Sequence, residues 1–381
     1  MTNNKLRFVQ VHALVSYGPS NLNRDDMGRP KTVVMGGKER LRISSQSIKR
    51  AWRESEFFTE SLNGRIAPRT KLLGEYVFKA LTSGCTLSDI FDGKFDNPVN
   101  PVMDNALAIT WAQIIAGVFA SVKISKDEQE NLKAEQLVHV SHDEIKLMDQ
   151  YIAEILESKK DPEKDSKGTY DTLKKNLKKK LICYPYSDVD IALFGRMIAD
   201  TPKCSVEAAA QVAHPITIHP VVVEDDFFTA VDDLNKYEDN AGAGHLGTFE
   251  YGAGVFYIYV CINRELLIEN LGDDEELANN AIKTLIECVA KVGPKGKQAN
   301  FGSRAYASYM MVEQGNQQPR SLAAAFIDTM HSENYVTKGI EKLRDEKKRL
   351  DDVYGKCSDI VAEFNVPKGT GKLDDILKTI G

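Results

Sequence analysis

The sequence has little of what marks a secreted protein, a membrane protein or a metalloenzyme. Its six cysteines (Cys85, Cys183, Cys204, Cys261, Cys288, Cys357) are scattered and form no C-x-x-C pair. That argues against a zinc ribbon or a redox centre and leaves reduced, buried thiols as the expectation. Histidine is sparse as well, and none of the seven stands at metal-ligand spacing; His214 and His219 merely flank Pro215 in an apolar segment. No metal and no cofactor is therefore expected. Residues 1–5 lack the charged-then-apolar build of a signal peptide, which sets the expectation of a cytoplasmic location. Only one uncharged run, 105–122, is long enough to raise the question of a membrane span. It contains Thr110, Gln113 and Ser121 and follows Asp104, a plausible cap, so it reads as a buried helix. The glycine-rich stretch 293–303 (GPKGKQANFGS) lacks the G-K-[ST] ending of a phosphate-binding loop. Nucleotide hydrolysis is not expected there. A flexible loop laid against a nucleic-acid backbone and a plain surface loop both fit.

The 381 residues are otherwise of ordinary globular composition, with 42% hydrophobic and 27% charged side chains. The net charge of −6 argues against a polyanionic partner until its distribution is read. Between residues 24 and 53 stand Arg24, Arg29, Lys31, Lys38, Arg40, Arg42, Lys49, Arg50 and Arg53, against Asp25, Asp26 and Glu39. This segment is +6, which leaves −12 for the remainder. A local basic field on an acidic protein is the footprint of a nucleic-acid site.

Residues 7–15 alternate, with Phe8, Gln10, His12 and Leu14 on one side and Val9, Val11, Ala13 and Val15 on the other, predicting a strand. A loop from 17 to about 40 follows, and Ser44 and Ser45 suit the start of a helix running to about 58. Residues 60–190 are helix- and lysine-rich. Strands are predicted over 214–223, 254–263 and 304–313, a helix over 275–292, and an acidic hairpin or loop over 225–244; a charged helix follows residue 335. Strand–helix, insertion, strand, insertion, strand–helix–strand is the order of a split β-α-β, ferredoxin-like α+β sheet.

Chemistry-bearing residues concentrate in the predicted 45–58 helix. At 100° per residue, Gln46, Lys49, Arg50 and Arg53 fall within an arc of about 100°, and Ile48, Ala51, Trp52 and Ser55 lie opposite. The helix start, with its free N–H groups, suits a phosphate, although Glu54 and Glu56 flank the arc. Asp25 and Asp26 fit a metal or acid–base pair, but such pairs more often order a loop by accepting hydrogen bonds. The run 174–180 (KKNLKKK) fits nucleic-acid contact or simple solvation. In ALFGRM (192–197), Arg196 and Met197 read as a turn with a half-buried Met, or as an apolar wedge beside a phosphate-binding Arg.

Taken together, PSNLNRDDM (19–27), GGKERLRISSQSIKRAWR (36–53), ALFGRM (192–197), FTAVDDL (228–234) and AGHLGTFEYGAGVFY (243–257) resemble the CasC family, the repeat subunit of the type I-E CRISPR surveillance complex Cascade. The resemblance implies a ferredoxin-like (RRM-like) palm, a helical fingers insertion and a thumb hairpin. Its boundaries would be 1–58 palm, 59–190 fingers, 191–212 palm, 213–245 thumb and 246–381 palm with C-terminal helices. It also implies a non-enzymatic protein that polymerises along crRNA and leaves sequence reading to base pairing with target DNA. The implied partners are crRNA, target DNA through the guide, further copies of the chain and other Cascade subunits. Arg24, Lys31, Ser44, Gln46, Lys49, Arg50 and Arg53 carry over as backbone contacts, Arg196 and Met197 as a kink-stabilising pair, and Phe228 and Thr229 as thumb contacts. Phe227 stands where many members have Trp, and the 293–303 loop departs from the family pattern. The competing reading is a metal-dependent, RNA-guided ribonuclease of the type III kind, using Asp25 or Asp26.

Overall fold

The computed structural model describes residues 6–95, 101–123, 125–126, 131–158, 162, 170–182, 188–198, 205–230, 245–330 and 333–381. The chain divides into two compact units. One comprises Met1–Leu62, Ala210–Glu265 and Glu276–Gly381; the other comprises Asn63–Ala209 and Leu266–Glu275.

The first unit is built on an antiparallel sheet. Its central strand β1 (Phe8–Ser20) lies between β10 (Ala307–Gly315) and β9 (His245–Asn263). β11 (Ile360–Asn365) lies outside β10, and β6 (Ala210–Val212) and β7 (Ile216–Thr217) pair with β9. A helix follows β1 and another, Glu275–Lys291, runs between β9 and β10, in the order of a split β-α-β.

β1 is buried almost throughout, as a strand covered on both faces must be. Leu14 packs in one core with Ile218, Tyr257, Tyr309, Phe326 and Leu343. That face also buries His12 completely, and a buried polar ring needs partners. Its Nδ1 lies 2.8 Å from the Tyr257 hydroxyl and its Nε2 3.1 Å from Glu313. Burial holds His12 below the ordinary histidine value, against the opposing pull of Glu313. Leu322 N–H donates to the same Tyr257 hydroxyl at 3.1 Å.

Several predicted elements change in detail. The helix predicted over 45–58 is two. α1 (Ser45–Arg53) ends early, and the extended Ser55 caps α2 (Glu56–Ser61) by accepting the Phe58 N–H at 3.1 Å. The loop predicted over 17–40 holds the end of β1 and a hairpin of β2 (Thr32–Met35) and β3 (Lys38–Leu41). Gly36 and Gly37 turn it, with φ of 63° and 70°, the left-handed pair a two-residue hairpin turn demands. The strand predicted over 214–223 shrinks to β7, because Pro215 and Pro220 lack ladder donors. The strand predicted over 254–263 is longer: β9 starts at His245 and pairs with β8 (Glu224–Ala230), forming a two-stranded arm. Residues 231–244 of the expected thumb lie outside the described residues.

The second unit is helical. Asp104 caps Asn105–Ala116 by accepting the Ala106 N–H at 2.9 Å, and the predicted burial of this helix holds. It packs with Leu73–Ser83, His142–Ser158 and Tyr170–Leu181 around Leu73, Val77, Trp111, Met148, Ile152 and Leu177. In the lysine run, Leu177 and Leu181 are buried while Lys175, Lys179 and Lys180 are exposed. A short β4 (Arg69–Thr70) pairs with β5 (Val138–His139). The described residues 191–198 and 205–209, expected with the palm, belong to this unit, and among the described residues of that segment only 210–212 join the sheet. Among the described residues no helix is long and apolar enough to cross a membrane. Cys85, Cys261, Cys288 and Cys357 are free thiols; burial pushes Cys261 up to about 11 and Cys288 up to about 12. Cys183 and Cys204 lie outside the described residues.

Candidate nucleic-acid interface

In the sheet unit, three segments converge on an open cleft of about 510 Å³. The first is the loop after β1, which is built rather than loose. Asp25 Oδ1 accepts the N–H groups of Met27 and Arg29, both at 2.9 Å. Asn21 Nδ2 donates to Gly28 O and, at 2.8 Å, to Glu250 O on β9, while Arg29 pairs with the Glu250 carboxylate at 3.0 Å. This holds Arg24 at the cleft with its side chain exposed. The second segment is α1, which presents Arg50, and the third is the glycine-rich loop, which presents Lys295. Asp25, Asp26 and Glu54 line the cleft too, so its field is mixed, not uniformly positive.

α1 is mounted as its two faces predict. Ile48, Ala51 and Trp52 are buried, and the Trp52 indole N–H donates to Val292 O at 3.1 Å. On the outer face Gln46 and Arg50 are exposed, and Lys49 and Arg53 are half-buried. Arg50 pairs with Glu54 one turn on, at 2.7 Å, with 74% of its side chain exposed. Such a pair is weak and exchangeable for a phosphate.

The start of α1 departs from expectation. Its N–H groups were to face a phosphate, but Ser44 Oγ accepts the Ser47 N–H at 3.3 Å and His214 Nδ1 accepts the Ser45 N–H at 3.0 Å. Ser44 is thus the helix cap, and its own N–H donates to Asn23 Oδ1 at 2.8 Å. What this region can offer an anion is therefore its side chains. Arg40, counted in the basic segment, is fully buried and donates to the carbonyls of Met35, Thr217, Phe326 and Ile327.

A model of the CT1975-like protein family matches residues 9–376. The chain belongs to the CT1975-like family. It is also similar to a chain from a solved "CRISPR RNA-guided surveillance complex, pre-nicking", at 28% identity and a TM-score of 0.78, over 98% of this chain and 100% of that one. A chain from another "CRISPR RNA-guided surveillance complex" shares the fold at 24% identity and a TM-score of 0.57, over 98% and 99%. A search of curated proteins found no match.

The remaining candidates of this CT1975-like chain divide sharply. Lys31 is half-buried at the foot of the first loop, its N–H bonded to Asn23 O. Phe228 and Thr229 are exposed on β8, and the Phe228 ring lies 5.4 Å from that of Phe249. Met197, in the helical unit, is 78% exposed, a knob and not the half-buried side chain of a plain turn. Arg196 corrects the expectation outright. Its guanidinium is buried and forks onto Glu144 at 2.7 and 3.0 Å, with His139 O as a further acceptor. It supports the turn that carries Met197 and is not available to a phosphate. The 293–303 loop, open to either reading in the sequence, brings Lys295 to the cleft, although Lys295 itself was not singled out; His214 as a cap and Glu250 as the anchor of Arg29 were missed. No pattern in the sequence marks the last two, since each works across a large separation.

Proposed function

We propose that this CT1975-like chain is the crRNA-binding backbone subunit of a type I-E CRISPR surveillance complex. It is a cytoplasmic, non-enzymatic protein that polymerises along guide RNA and presents it to target DNA, beside the other Cascade subunits. The observation that carries the reading is the cleft, where Arg24, Arg50 and Lys295 stand on firmly mounted elements around a space open to solvent. Three carboxylates share that cleft, but the 24–53 segment around it carries +6 on a chain of net charge −6, which suits a polyanion held by its backbone. The likeness to a chain of a solved surveillance complex supports the assembly. In this reading the sheet unit is the palm, the helical unit holds the fingers, and the β8–β9 arm begins the thumb.

The ribonuclease reading needs Asp25 or Asp26 free for a metal. Asp25 already accepts two backbone N–H groups, and among the described residues no group of three or more His, Cys, Asp or Glu is placed to hold an ion. The experiment is to incubate the protein with labelled RNA and Mg²⁺ or Mn²⁺. Ordered arrays on intact RNA are expected. Arrays should be lost, with the fold kept, when 226–243 is deleted. Cleavage that disappears in Asp26→Ala would instead establish the enzyme.

A further inference from the structure

The glycine-rich loop 293–303 is a built element, contrary to the flexible loop its composition suggests. Gln298 closes it, its side-chain amide donating to Pro294 O at 2.9 Å and to Ser303 Oγ at 3.1 Å. Gly296 presses against the first cleft loop: a Cβ there would meet Leu22 O at 2.3 Å. At its far end Phe301 stands edge-on to Phe249 at 5.6 Å and beside Tyr251 at 6.0 Å, both on β9. Lys297 Nζ lies 4.8 Å from the centre of the Phe249 ring. Between these fixings Lys295 is exposed at the cleft, its Nζ donating to Glu54 O at 3.1 Å in the last turn of α1, where a cation suits the helix dipole.

We propose that Phe249 and Phe301 are positioning residues for RNA binding. They clasp the glycine-rich loop to the base of the β8–β9 arm and so hold Lys295 as one wall of the RNA cleft. Neither ring needs to touch RNA. β9 also holds the opposite wall, through Glu250 with Arg29 and Asn21. One strand therefore fixes both basic loops, and the cleft's width depends on it. This inference rests on the RNA-binding reading above.

The test compares substitutions that remove no charge with one, Lys295→Ala, that does. Binding of a short single-stranded RNA is measured against salt for the wild type, Lys295→Ala, Phe301→Ala and the double variant. Lys295→Ala should flatten the log K versus log salt slope by about 0.7, one phosphate contact on a single strand. Phe301→Ala should flatten it equally although its charge is unchanged, and the double variant should lose no more than either single one. Phe301→Tyr, which keeps the ring, should restore the slope. Gly296→Ala, which pries the loops apart by a different route, should repeat the Phe301→Ala result and decides the matter if that variant does not fold. A normal slope in both Phe301→Ala and Gly296→Ala, with Lys295→Ala flattened, overturns the clasp and leaves the cleft standing. A normal slope in Lys295→Ala overturns the clasp as well. The α1 substitutions described below then report separately on the cleft.

Discussion

Arg50 stands on the outer face of α1 with 74% of its side chain exposed and pairs with Glu54, one turn away. Arg196, in the helical unit, keeps 2% exposed and forks onto a fully buried Glu144. Both lie in motifs that resemble the same RNA-binding family, yet only Arg50 is placed to exchange its partner for a phosphate. The difference lies in desolvation. An exposed pair gains little and gives way easily. A buried pair is held because breaking it strands a charge. The two sites divide the work accordingly: one offers cations to solvent, the other uses a cation to stiffen the turn behind the exposed Met197.

Breaking each pair sharpens the contrast. Glu144→Ala should destabilise the protein by about 3–5 kcal/mol, since it leaves Arg196 buried and uncompensated. Glu54→Ala should cost less than about 1 kcal/mol. Urea denaturation of the two variants checks this, and equal effects would erase the distinction. Trp52→Ala should cost about 3–5 kcal/mol, as the loss of a large buried ring does. By contrast, alanine at its exposed neighbour Arg50 should change stability by about 0.5 kcal/mol or less.

A smaller effect concerns His142, at the start of the helix that carries Glu144. Its Nδ1 hydrogen-bonds to Asp188 at 2.6 Å, and that bond raises the imidazole above its ordinary value. The sign follows from linkage. A raised folded value gives stability that is complete below about 6.5, the unfolded value, and lost as pH rises through the folded one. Because the ring is about half exposed, salt should screen the effect. The melting temperature of the wild type should exceed that of His142→Asn by more at about pH 5.5 than at about pH 8.5. A gap that does not change with pH would show that the charged His142–Asp188 pair adds nothing to stability.

Much of this was legible in the sequence because it depends on local period. The alternation of 7–15 gave β1, and the two arcs of the predicted 45–58 helix separated Trp52 from Arg50 correctly. The β2–β3 hairpin was signalled by Gly36-Gly37 after TVVM but hidden inside a segment read as a polar loop. What local pattern does not carry is a partner far along the chain. Ser45 meets His214 across 169 positions and Arg196 meets Glu144 across 52. Those two pairings decided which expected phosphate ligands were already satisfied. Charge counting failed at Arg40 for the same reason, since four backbone carbonyls gather around it from separate segments.

The central claim, that the outer face of α1 binds RNA through its backbone, is tested most directly by replacing Lys49, Arg50 and Arg53 together with alanine and measuring single-stranded RNA affinity across a salt series. The circular-dichroism spectrum should be unchanged and most of the thermal stability retained, because Ile48, Ala51 and Trp52 still anchor the helix. The log K versus log salt slope should be flatter by about 0.7 for each phosphate that the variant no longer neutralises, and by the same amount on unrelated RNA sequences. A folded triple variant that binds RNA with the wild-type slope would contradict the claim, and α1 would then be a solvated surface helix.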